Sequence, residues 1–81
     1  MARITVQLYA GAAAAAGVTT TTACATTVRD LLDTLSIELG EGLARVLPTV
    51  SLLVDGIVVR DPATSLPEGA TVDVLPPFAG G

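Results

Sequence analysis

The stretch that decides the fold spans residues 27–40 and reads TVRDLLDTLSIELG. Its first four residues fit a capping box, in which Thr27 accepts a hydrogen bond from the backbone N–H of Asp30. Apolar residues then recur at the spacing of one helix face: Val28, Leu31, Leu32, Leu35 and Leu39. Gly40 is suited to ending the helix. The pattern predicts one amphipathic helix, and the flanking segments must supply the surface that its apolar face covers.

Two strands are predicted before this helix. Apolar and polar residues alternate from about Arg3 to Ala10, the period of a half-buried strand. Tyr9 falls on the face opposite the apolar set, as a surface aromatic or as part of a contact patch. Residues 18–24 are rich in β-branched threonine and predict a second strand, with Cys24 partly buried on it. The alanine run of residues 11–17 is too short for a stable isolated helix, so we expect a loop with at most one helical turn.

Three further strands are predicted after the helix. Residues 43–47 suggest a short helical turn ended by Pro48. Asp55-Gly56 is a hairpin turn signal between residues 51–54 and 57–60. A second turn at residues 66–69 precedes the last strand, residues 71–75.

The resulting order is strand, strand, helix, strand, strand, strand. It predicts an α+β, β-grasp (ubiquitin-like) fold, with a mixed four- to five-stranded sheet packed on one main helix. The last strand is expected beside the first, in the middle of the sheet. We expect one domain over residues 1–81, with a projecting tail at residues 76–81.

The tail is the segment most suggestive of chemistry. Leu75 is followed by Pro76, Pro77, Phe78, Ala79, Gly80 and Gly81. Proline fixes φ and lacks a backbone donor, so this segment should leave the sheet as an extended arm. Glycine has no Cβ, so the tip can enter a channel too narrow for other residues.

The composition restricts the chemistry available elsewhere. The chain of 81 residues has no histidine, no lysine and one cysteine, and its net charge is −4. A disulfide within the chain and a cysteine-based metal site are therefore excluded, and the commonest general base is missing. Four scattered arginines do not form a nucleic-acid-binding patch. With a self-contained active site disfavoured, the Gly81 carboxylate is the most plausible reacting group.

The segment from Ile4 to Val28 carries no charge and is long enough to cross a bilayer. Its apolar residues alternate instead of running together, and a signal peptide here would remove two strands of the fold. We therefore read it as a hairpin and expect a cytoplasmic protein with no membrane partner.

The sequence resembles the MoaD/ThiS-type sulfur carriers, and most of all the small subunit of molybdopterin synthase. The resemblance spans the chain and rests on residues 27–32, the hairpin at residues 54–56, the turn at residues 66–69 and, above all, residues 75–81. Residues 55–61 together with residues 76–81 look especially like an actinobacterial version. The loop after the first strand departs from the family, because residues 12–16 are all alanine where a charged residue is common.

The resemblance implies that a ubiquitin-activating-type adenylyltransferase uses ATP to adenylate Gly81, which then becomes a thiocarboxylate. The large subunit of molybdopterin synthase would receive the tail, and the sulfur would build the dithiolene of molybdopterin. Gly80 and Ala79 would lie in the partner's channel. Residues expected to bind the partner are Phe78, Pro77, Pro76, Leu75 and Tyr9. The chain itself would bind no cofactor and no metal, and no activity is expected from it alone.

Three alternatives stay open at this point. The tail chemistry is shared with carriers that deliver sulfur for thiazole or cysteine biosynthesis. A ubiquitin-like modifier joined to lysines of other proteins would also need a C-terminal Gly-Gly. The last alternative is a β-grasp interaction module in which the two glycines have no chemical role.

Overall fold

The computed structural model describes residues 1–77, so the predicted roles of Phe78, Ala79, Gly80 and Gly81 lie outside the described residues. In chain order the elements are strand β1 (Ala2–Leu8), helix α1 (Ala10–Ala16), strand β2 (Thr20–Ala25), helix α2 (Val28–Leu39), helix α3 (Glu41–Val46), a 3-10 turn (Leu47–Thr49), and strands β3 (Ser51–Val54), β4 (Ile57–Val59) and β5 (Thr71–Leu75).

The five strands form one mixed sheet in the order β2-β1-β5-β3-β4. β5 is central: it pairs in parallel with β1 and antiparallel with β3. The β-grasp prediction is confirmed, with five strands and with the last strand beside the first.

Helix α2 forms where its cap and apolar stripe predict it. The Thr27 hydroxyl accepts a hydrogen bond from the Asp30 backbone N–H at 3.2 Å, and Gly40 ends the helix with a φ of 98°. Val28, Leu31 and Leu35 are buried against the sheet. The largest fully buried side chains of the core are Ile4, Val6, Leu31, Leu35, Leu43, Val72 and Val74.

The loop predicted at residues 11–17 was wrong, because residues 10–16 form helix α1. Alanine favours helix, but a segment this short needs tertiary contacts to stay folded. Here α1 packs against α3, Ala12 is buried, and Gly17 closes the helix in the left-handed conformation with a φ of 79°.

The predicted burial of Cys24 was also wrong, because its side chain is exposed. Cys24 pairs with Arg3 on the sheet face that α2 does not cover. The buried positions of β2 are Ala23 and Ala25. Thr21 shares their inward face, and the alternation of the strand turns Thr20, Thr22 and Cys24 outward.

Pro48 does not end the second helical segment as predicted. Helix α3 ends at Val46, and Pro48 lies inside the 3-10 turn that follows. Proline is tolerated there because the first residues of a helical turn need no intrahelical N–H bond. Within residues 1–77, the helices all fall short of the length and apolarity needed to cross a membrane.

Candidate functional site

The base of the tail is held on both sides by neighbouring strands. Val74 pairs with Leu8 of β1 and with Leu52 of β3, and its carbonyl accepts a hydrogen bond from the Tyr9 backbone N–H at 3.0 Å. Leu75 makes the last pair, with Ser51. Since β5 is paired along both edges, the tail starts from a fixed point of the sheet.

Pro76 and Pro77 follow directly after the last pair and are exposed. Neither residue has a backbone N–H to continue a ladder, so strand pairing stops at Leu75. Strand pairing therefore ends at Leu75, where the sequence predicts the end of the last strand, and the projecting tail stays a prediction. The structure does not test whether these residues bind a partner.

The opposite end of β5 is fixed by the β3–β4 turn. Asp55 and Gly56 both have positive φ, 49° and 83°, as a type I′ hairpin turn requires. Asp55 bonds Thr71 twice: its backbone N–H donates to the Thr71 carbonyl at 2.8 Å, and its Oδ1 accepts from the Thr71 N–H at 2.9 Å. One turn thus connects β3 to β4 and also holds the start of β5.

Tyr9 lies next to the tail exit, between β1 and α1. Its backbone is extended and its side chain is 40% exposed. The hydroxyl donates to Gln7 Oε1 at 2.8 Å, which holds the ring over the outer face of the sheet, the face that α2 does not cover. The structure thus places Tyr9 beside the end of β5, and its role in binding a partner stays a prediction.

The outer face carries two apolar residues that the sequence reasoning did not assign to the site. Leu53 and Val58 pair with each other across β3 and β4, and Val58 is 45% exposed. By strand register they share this face with Leu75 and Tyr9. We call these four residues the outer-face patch. A signal was present, because residues 52–54 and 57–59 are continuously apolar where a strand with one wet face would alternate.

Asp73 is a polar residue beside this patch. Its cross-strand neighbours on the outer face are Gln7 of β1 and Leu53 of β3. The Oδ1 atom is buried and has no hydrogen-bond partner among the residues that the structure describes. An unsatisfied buried oxygen of this kind is rare in folded proteins and calls for an explanation.

A separate apolar groove of about 310 Å³ opens on the helix side of the sheet. It lies between the start of α2 and the β3–β4 hairpin, with Leu32, Leu47 and Val59 among its lining residues and Arg60 at its edge. It contains no pair of groups suited to acid–base chemistry. In residues 1–77 there is also no group of three or more side chains placed to hold a metal ion.

The architecture defines the class: a ubiquitin-like β-grasp protein whose C-terminal segment leaves from a central strand. The model of the ThiS family matches residues 6–81. The chain belongs to this family of ubiquitin-like sulfur carriers. No significant match is found among curated protein sequences.

Solved structures share the fold over nearly the whole chain. The small archaeal modifier protein 1 (SAMP1) of Methanosarcina acetivorans is 24% identical with a TM-score of 0.87, over 100% of this chain and 98% of that one. A chain from the complex of subunits 1 and 2 of the molybdopterin-converting factor of Helicobacter pylori is 20% identical with a TM-score of 0.74. The match covers 98% of this chain and 99% of that one. Urm1 of Trypanosoma brucei is 21% identical, also with a TM-score of 0.74, over 98% and 95%. At these identities the likeness establishes the fold.

Proposed function

We propose that this chain is the sulfur-carrying small subunit of a molybdopterin synthase and acts in the cytoplasm. The observation that carries the proposal is the tail PPFAGG, which starts from the paired end of the central strand β5. The family match, which runs to residue 81, supports a sulfur-carrier role. The Helicobacter pylori neighbour is described as a complex of subunits 1 and 2, which supports a second subunit as the partner here.

The chemistry begins at the Gly81 carboxylate, which is a poor electrophile. An adenylyltransferase of the ubiquitin-activating type joins it to AMP from ATP and releases pyrophosphate. The terminal sulfur of a persulfide then attacks the carbonyl carbon and expels AMP. A thiol cleaves the resulting acyl disulfide, which leaves the thiocarboxylate on Gly81.

The large subunit binds the tail that carries the thiocarboxylate. Gly80 and Ala79 occupy its channel, while Pro76, Pro77 and Phe78 set the direction and anchor the arm. The thiocarboxylate sulfur attacks the precursor pterin in a site from which water is excluded. The large subunit supplies the positively charged catalytic side chains, in keeping with a small subunit that has neither histidine nor lysine.

Intact mass spectrometry tests the first half of the proposal. The chain is co-expressed with an adenylyltransferase and a persulfide source, and a chain lacking Gly81 serves as control. The expected result is a mass increase equal to sulfur replacing oxygen, in the full-length chain alone. Isopeptide conjugates to lysines of other proteins would instead identify a modifier.

The pathway is tested by reconstitution of the thiocarboxylated chain with the large subunit and the precursor pterin. Dithiolene formation is the expected result. Transfer into a thiazole or into cysteine, with none into the pterin, would contradict the molybdopterin assignment and leave the sulfur-carrier role intact.

A further inference from the structure

The carboxylate of Asp73 lacks a hydrogen bond that its buried oxygen would normally make. It lies in the central strand β5, with Gln7 and Leu53 beside it on the outer face. Its Oδ1 is buried without a donor among the described residues. Gln7 Oε1 accepts a hydrogen bond from the Tyr9 hydroxyl, and the Gln7 amide N–H groups do not bond Asp73 Oδ1. Burial of a carboxylate oxygen without a hydrogen bond disfavours the folded state.

No arginine of residues 1–77 forms an ion pair with this carboxylate. Arg45 pairs with Glu41 at 3.3 Å on the surface of α3. Arg3 is on β1, four residues before Gln7, or roughly 13 Å along the strand at the usual rise per residue. Arg60 follows β4, which is separated from β5 by β3, and it borders the apolar groove.

We propose that Asp73 is a specificity residue that accepts a guanidinium from the subunit that receives the tail. This inference rests on the proposed function, which supplies that partner. Asp73 is two residues before Leu75, so a protein that takes in the tail also covers the outer face around Asp73. The net charge of −4 favours a basic partner surface.

An arginine suits this position better than a lysine. Its planar guanidinium is weakly hydrated, presents several donors in a fixed geometry and is favoured in interface ion pairs. Its aliphatic stem can also pack against the apolar neighbours Leu53 and Leu75. Because Oδ1 is buried in the free chain, the proposed pair requires neighbouring side chains to change rotamer, and such changes are common when interfaces form. The pair would fix the position of β5 against the partner and thereby the depth of the tail tip.

Asp73→Asn keeps the side-chain shape and removes the charge, and Asp33→Asn makes the same charge change on the exposed side of α2. Binding of each full chain to the large subunit of molybdopterin synthase is measured by calorimetry, together with the thermal midpoint of the chain alone. We expect Asp73→Asn to weaken binding roughly thirtyfold or more, the range for loss of one partner of a buried charge pair. Asp33→Asn should change Kd by no more than about twofold.

The thermal midpoint tests the inference independently of the partner. Asp73→Asn should melt no lower than the wild type, because it removes charge from a side chain whose Oδ1 is buried without a hydrogen-bond partner. A fall of more than about 4 °C would overturn the inference, since it would show that Asp73 is already bonded within the chain. Unchanged binding by Asp73→Asn, when the wild type binds, would overturn it as well. Absence of wild-type binding would count against the proposed function instead.

Discussion

At the residue scale, Asp55 shows how one side chain can hold three strands. It occupies the left-handed region with a φ of 49°, which few residues other than glycine, asparagine and aspartate adopt at low cost. In that conformation its N–H and its Oδ1 both reach Thr71, the first residue of β5. The same residue therefore closes the β3–β4 hairpin and ties β5 to it.

Asp55→Ala is expected to lower the free energy of unfolding by about 2 kcal/mol. Roughly half comes from the lost hydrogen bond to Thr71 and half from alanine in the left-handed region. Urea denaturation measures the change, with Asp55→Asn as control because asparagine keeps an acceptor oxygen and tolerates this conformation. Equal stability of the Asp55→Ala chain and the wild type would show that the side chain does not hold β5.

At the element scale, helix α2 was predictable because both of its determinants are local. The Thr27 cap and the apolar stripe lie within one short stretch, and Gly40 follows directly. Helix α1 was not predictable in the same way, because its stability comes from packing against α3, far along the chain. It also begins with Ala10 at a φ of 51°, a conformation that an alanine in the sequence does not signal.

Leu35→Ala should be among the most destabilising single changes in α2. Leu35 is 0% exposed at the centre of the helix stripe. Loss of a buried leucine side chain costs about 2–5 kcal/mol, depending on how far the cavity collapses. The measurement is the free energy of unfolding in urea, and the control is Ile37→Ala on the same helix.

Ile37 is 84% exposed, so its truncation should change the unfolding free energy by no more than about 0.5 kcal/mol. Similar losses for the two variants would contradict the assignment of the buried face.

The candidate site was predictable only in part, for a related reason. The end of strand pairing follows from Leu75, Pro76 and Pro77, which are consecutive in the sequence. The outer-face patch and the surroundings of Asp73 depend on the register between β1, β3 and β5, which are remote in the chain. The sequence of one strand does not indicate which residues of the other strands will lie beside it. The outward position of Cys24 was missed for the same reason, since it depends on the register between β2 and β1.

At the scale of the whole molecule, the domain is a base that sets how far the tail reaches. Residues 71–75 are fixed at both ends, by Asp55 and by the pairs with β1 and β3. If the tail enters a partner as proposed, the length of the segment after Leu75 therefore determines where Gly81 lies. Under the proposed function, the length of this segment tolerates less change than most of the protein surface does.

Deletion of Gly81, or addition of one residue after it, is expected to abolish sulfur transfer. The free energy of unfolding should change by less than about 0.5 kcal/mol, because these changes lie beyond the last strand. Transfer is followed by product formation with the large subunit, and stability by urea denaturation. The control is one extra residue before Met1, which lies at the other end of β1. Full transfer by a chain that lacks Gly81 would contradict the proposed reach of the tail.

The central position of β5 also has a mechanical consequence. If, as proposed, a partner draws the tail into a channel, the resulting tension passes along β5. The strands β1 and β3 run alongside it, one parallel and one antiparallel, so the load acts lengthwise on both ladders at once. Bonds loaded in shear share the force, whereas those of a strand pulled sideways from an edge open one after another. Under the proposed function, this pairing lets the sheet stay intact while the tail is drawn in and released repeatedly.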